Sequence, residues 1–90
     1  MKKKMHLYYS GQVQGVGLRY TIQEVALELR IYGWVKNLAD RRVEVLAEAE
    51  EADLGIFLAK INEKFSQYIQ AVDIDWQPAA GELRDFQVLF

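Results

Sequence analysis

Two short segments carry the residues that could do chemistry. The first is Gly11-Gln12-Val13-Gln14-Gly15-Val16-Gly17-Leu18-Arg19, and the second is Gly33-Trp34-Val35-Lys36-Asn37. The first is a glycine-rich loop that ends in an arginine at the start of a helical pattern. Backbone N–H groups of a loop entering a helix point toward an anion, and the helix dipole favours negative charge there. Arginine adds a planar, permanently charged fork that matches phosphate geometry. The segment therefore suits a small phosphate group, held by Gln14, Gly15, Val16, Gly17, Leu18 and Arg19. The second segment places one uncharged amide, Asn37, at the end of an apolar strand. Each feature taken alone also has a plain structural role. The loop could be a tight turn, Arg19 a surface helix residue and Asn37 a turn residue. In combination they are far more specific.

The surrounding elements decide whether the two segments can meet. Residues 5–11 read as a strand with Leu7 and Tyr9 on one face. Residues 19–30 read as a helix whose stripe is Ile22, Val25, Ala26 and Leu29. Residues 33–38 and 42–48 read as strands joined by a short turn. Residues 51–67 form a second helix, striped by Leu54, Phe57, Leu58, Ile61 and Phe65 and weakened by Gly55. Residues 69–76 alternate Val72, Ile74 and Trp76 with Asp73 and Asp75. Pro78 lies in a loop-like stretch, 77–81. Phe86, Val88 and Phe90 suggest a final strand. This order predicts one α+β domain over residues 1–90. Its architecture is a ferredoxin-like βαββαβ sandwich, an antiparallel sheet with two helices on one face, plus a short C-terminal strand. A right-handed first crossover would bring the 11–19 loop and the end of strand 33–38 together, with Arg19 close to Asn37.

Composition narrows the functional classes. The chain has 90 residues, 51% of them hydrophobic, with no cysteine and a net charge of −2. This argues against disorder, excludes disulfides and thiolate metal sites, and gives no basic footprint for nucleic acid. Lys2, Lys3 and Lys4 are expected as a solvated tail, with no apolar run after them to make a signal peptide or a membrane span. The lone histidine, His6, has no acidic or histidine partner at metal-ligand spacing. Glu48, Glu50, Glu51 and Asp53 read as a solvated helix start. Trp34 and Tyr20 read as core or wall residues. No Ser/His/Asp set is available for nucleophilic catalysis.

The two segments resemble the motifs of the acylphosphatase family. Its loop, G-x-V-Q-G-V-x-F-R, is matched by Gly11, Val13, Gln14, Gly15, Val16 and Arg19, with Leu18 in place of phenylalanine. Its second motif, G-W/Y/F-V-x-N with an acidic-glycine turn and a valine-rich strand, is matched by Gly33, Trp34, Val35, Asn37, Asp40, Val43, Glu44 and Val45. Arg30, Arg41 and Ala49 stand where glycine is common in the family. A left-handed backbone at Arg41 would cost about 1–2 kcal/mol.

The resemblance implies hydrolysis of the carboxyl–phosphate bond of a small acyl phosphate. Inorganic phosphate would be product and inhibitor. Arg19 and the 14–19 loop would hold the phosphate, and Asn37 would orient the attacking water. It implies no cofactor, metal or covalent intermediate. Composition adds the expectation of a cytoplasmic chain that binds neither nucleic acid nor membrane, and a small monomer is the default. Three other readings stay open at this stage. One is a non-catalytic phosphate- or partner-binding module. A second is an RNA-binding domain, although its aromatic strand motif is absent. A third is a carbamoyl phosphate domain of a larger maturation enzyme.

Overall fold

A computed structural model describes residues 1–90. Alternating apolar residues build strand β1 (Lys2–Gly11), whose Met5, Leu7 and Tyr9 are fully buried. Helix α1 (Leu18–Glu28) buries Ile22, Val25 and Ala26 of the expected stripe together with Leu18, while Leu29 caps its end and is only partly buried. Strands β2 (Tyr32–Asn37) and β3 (Val43–Glu50) follow, then helix α2 (Glu51–Lys64). Strands β4 (Ile69–Pro78) and β5 (Phe86–Leu89) complete the chain. The sheet order is β4-β1-β3-β2-β5. The first four strands pair antiparallel, whereas β5 runs parallel to β2. Both helices cover the sheet face carrying Leu7, Val35 and Val45, and the βαββαβ order stands.

The register places the two motifs together. Val43 on β3 pairs with Tyr9 of β1 on one side and with Asn37 of β2 on the other. With strands about 4.8 Å apart, the C-terminal ends of β1 and β2 lie roughly 10 Å from each other. Gly33 is required where β2 meets β3. A Cβ there would stand 1.8 Å from the Leu46 carbonyl oxygen, and its φ is 152°.

Several expectations need correction. Lys2, Lys3 and Lys4 are not a tail; they open β1, opposite Glu50, Ala49 and Glu48. Their long stems leave the backbone free to ladder while the ammonium groups stay wet, and Lys3 Nζ lies 3.2 Å from Glu51. Strand β4 runs through Pro78, which an edge strand tolerates. Glu48 is 4% exposed rather than solvated, and it accepts hydrogen bonds from the N–H groups of Ala80 and Gly81 at 2.8 and 3.1 Å. His6 does have an acidic partner, across the sheet: its Nε2 lies 2.6 Å from Glu44 Oε2, and Tyr8 donates to the same oxygen at 3.1 Å. Desolvation pushes the Glu44 carboxyl up, but the bonds from His6 and Tyr8 and the charge of Lys36 outweigh it and hold it below its ordinary value.

The arginines at glycine-favoured positions adopt left-handed backbones, with φ of 56° at Arg30 and 75° at Arg41. Arg30 closes α1 in a Schellman arrangement, with Arg30 N–H donating to Leu27 and Ile31 N–H to Ala26. Arg41 ends the β2–β3 turn. Its N–H donates to Leu38, and Leu38 N–H donates to Arg42, a type I turn followed by a bulge residue that favours glycine. Ala49 has no such backbone and sits 7% exposed in β3, where alanine fits. Arg41→Gly removes the left-handed penalty but loosens the unfolded chain. The expected net gain is about 0.5–1 kcal/mol, which raises Tm by about 2–8 °C. An unchanged or lower Tm in thermal denaturation would remove the strain argument.

Candidate active site

The loop after β1 is built to leave donors free. Gly15 and Gly17 have φ of 79° and 81°, and Gly17 caps α1 without a side-chain bond. Alternating left-handed residues turn successive N–H groups toward one concavity. None of the N–H groups from Gln14 to Tyr20 donates to another protein atom. A Cβ at Gly15 or Gly17 would meet nothing within 4 Å, so it is the backbone angle, not space, that demands glycine. No acidic side chain occupies the first turn of α1, so its positive dipole end is uncompensated.

These donors border a cavity of about 140 Å³ lined by Val13, Gly15, Gly17, Leu18, Arg19, Tyr20 and Asn37. The structure thus brings together the two side chains that the sequence singled out. Arg19 is half-buried and makes no ion pair with any carboxylate. The Asn37 side-chain oxygen is buried in the same region and has no hydrogen-bond partner in the protein. A buried acceptor in that condition costs about 1–3 kcal/mol unless something donates to it. A cation without a counter-charge, a row of free N–H groups and one unsatisfied amide oxygen fit a phosphate and a water together. A larger groove, about 500 Å³ around Lys2, Lys3 and Trp76, opens at the far edge of the sheet. It has neither the loop donors nor an unpaired arginine, so it does not compete as the site.

The other loop residues divide by role. Leu18 is 1% exposed and pins the loop to the core, which is what a phenylalanine would do there. Val16 packs against the core rather than lining the cavity. The Gln14 side chain also turns away. Its Nε2 donates to the carbonyls of Leu38 and Arg42 at 2.8 and 3.0 Å, tying the loop to the β2–β3 turn. Gln14→Ala therefore removes the second donor from two carbonyls that keep the N–H bonds of Arg41 and Leu38, losing two net hydrogen bonds of about 0.5–1.5 kcal/mol each. It is expected to cost about 1–3 kcal/mol and to lower Tm by about 4–8 °C for each kcal/mol. A Tm matching the parent protein would show that water replaces the tie at no cost.

Sequence reasoning missed the support for Arg19. Its Nη1 donates to the Leu89 carbonyl at 3.1 Å, and its guanidinium lies 4.9 Å from the centre of the Phe90 ring. The Tyr20 ring centre lies 6.0 Å from the same guanidinium. The alternation of Phe86, Val88 and Phe90 signals a strand, but nothing local signals that its end would hold a residue so far back along the chain.

Comparison with known proteins identifies the family and the fold. The acylphosphatase family model matches residues 5–88. An acylphosphatase of Caldanaerobacter subterraneus subsp. tengcongensis is 38% identical over 90 residues, covering 98% of this chain and 99% of the relative. The crystal structure of acylphosphatase from Bacillus subtilis superposes over all of both chains with a TM-score of 0.90 and 32% identity. Part of the T. kodakarensis HypF structure also matches, at a TM-score of 0.83 and 30% identity, covering 98% of this chain and 12% of HypF. The chain belongs to the acylphosphatase family.

Proposed function

We propose that Arg19, Asn37 and the loop from Gln14 to Arg19 are the machinery with which this chain hydrolyses acyl phosphates to a carboxylate and inorganic phosphate. The loop N–H groups and the Arg19 fork hold the phosphoryl oxygens and stabilise the charge that builds on them. Asn37 accepts a hydrogen bond from water at its buried oxygen and aims that water in line with the departing carboxylate. A bond forms between water oxygen and phosphorus as the bond from phosphorus to the acyl oxygen breaks. The water proton passes to a phosphate oxygen of the substrate, because an amide is a poor base and the carboxylate leaves readily.

The observation that carries this reading is the unsatisfied Asn37 oxygen beside an unpaired arginine. The test is hydrolysis of benzoyl phosphate, followed by absorbance without added metal, for the parent protein and Asn37→Ala. Turnover that the variant loses supports the assignment. A folded parent protein that binds phosphate without turnover would instead be an anion-binding module.

We further propose a monomer working in the cytoplasm, which the cysteine-free sequence fits. Size-exclusion chromatography checks the monomer. No helix is long and apolar enough to cross a membrane. Nucleic acid is a poor fit for the open sheet face, where Glu44, Glu48, Asp73 and Asp75 mix negative charge among the cations.

A further inference from the structure

Helix α1 holds strand β5 by two side chains that stand one helical turn apart. Arg19 and Gln23 are four residues from each other, so they share one helix face. Arg19 Nη1 donates to the Leu89 carbonyl and Gln23 Nε2 to the Phe86 carbonyl, each at 3.1 Å. Strand β5 depends on such ties. It is four residues long, stands at the sheet edge and pairs with β2 alone. Phe86 is its one buried residue. The ladder to β2 and the burial of Phe86 set the register of β5, but apolar contact has no direction and does not fix how closely the strand lies on α1. The Gln23 bond is directional and supplies that constraint. Three residues farther on, roughly 10 Å along the strand, the Leu89 carbonyl holds the guanidinium. Release at Phe86 would let β5 swing from α1 and carry that carbonyl off its place. Groups that recognise a reacting phosphate must be held to within about 0.5 Å. Gln23 itself does not line the Arg19 and Asn37 cavity, so it touches neither phosphate nor water there.

We propose that Gln23 is a positioning residue: its clamp on Phe86 sets how β5 lies on α1, and so where Leu89 holds the Arg19 guanidinium for the phosphoryl group. This rests on the reading of Arg19 as the phosphate-binding cation and extends that reading to a residue outside the cavity.

The test compares the parent protein with Gln23→Met and Gln23→Lys. Methionine keeps the length and the helix propensity and removes the N–H donor. Lysine keeps a donor of similar reach. Each protein is titrated calorimetrically with inorganic phosphate, assayed for kcat/KM on benzoyl phosphate, and melted, with assays run where circular dichroism shows it folded. Gln23→Met should weaken phosphate binding and lower kcat/KM by about tenfold each, within the 100-fold that a misplacement of about 1 Å can cost. Gln23→Lys should recover most of both. A lower Tm with phosphate affinity and kcat/KM unchanged would make Gln23 purely structural and overturn the proposal. So would lost turnover with phosphate affinity intact, or a lysine variant as weak as the methionine one. A parent protein that binds phosphate without turnover fails the hydrolase reading and leaves the titration to decide Gln23. One that binds no phosphate overturns both.

Discussion

Arg19→Ala is expected to lower kcat/KM for benzoyl phosphate by about 10³–10⁵-fold, the range over which an arginine stabilises a phosphoryl-transfer transition state. Arg19 is the only cationic side chain lining the cavity. Without it the loop N–H groups and the helix end remain, but they carry partial charges only. Inhibition by inorganic phosphate should weaken along with turnover. Arg19→Lys restores a full charge and should recover little. The ammonium is a point charge without the fork, and the bond to Leu89 and the packing on Phe90 were made by a guanidinium. Turnover near the parent level in the lysine variant would rule out two-pronged phosphate recognition. Because Arg19 is only half-buried, the alanine variant should keep its fold, which circular dichroism will show.

Asn37→Ala is the second large effect, and its signature differs. It should cut kcat by about 10²–10³-fold, comparable to removing one well-placed polar group that acts on the transition state. The inhibition constant for inorganic phosphate should stay where it was, because the loop and Arg19 are untouched. Stability should hold or rise slightly, since the variant deletes a buried oxygen that has no partner in the protein. Residue 37 keeps its backbone place opposite Val43 whatever side chain it carries. Loss of phosphate inhibition together with turnover would make Asn37 a structural residue. The two variants separate holding the phosphate from aiming the water.

The parts of this molecule that were legible in the sequence are those written in local periodicity. Ile22, Val25 and Ala26 on one helix, and Leu54, Phe57 and Ile61 on the other, announced their buried faces through spacing alone. Gly15 and Gly17 announced a tight loop opening onto a helix, and both take the left-handed backbone such a loop needs. What stayed hidden depends on partners far away in sequence. Glu48 looked like one more surface carboxylate, and its burial is made tolerable by two N–H groups 32 and 33 residues later. Gln14 looked like a site residue, yet its amide is spent on carbonyls 24 and 28 residues away. The lysines at the start of β1 looked like a tail because three adjacent charges hide a strand whose register is set by β3. The direction of β5 was equally unreadable. A strand of four residues carries no local sign of running parallel to its neighbour.

The bond from Arg19 to Leu89 spans 70 residues. At translation speeds of about 5–20 residues per second, those two residues emerge from the ribosome roughly 4–14 s apart. If Arg19 holds the phosphate as proposed, the nascent chain makes the glycine loop well before the strand that seats its guanidinium. Competence arrives with β5, so activity in this protein reports that the whole sheet has closed.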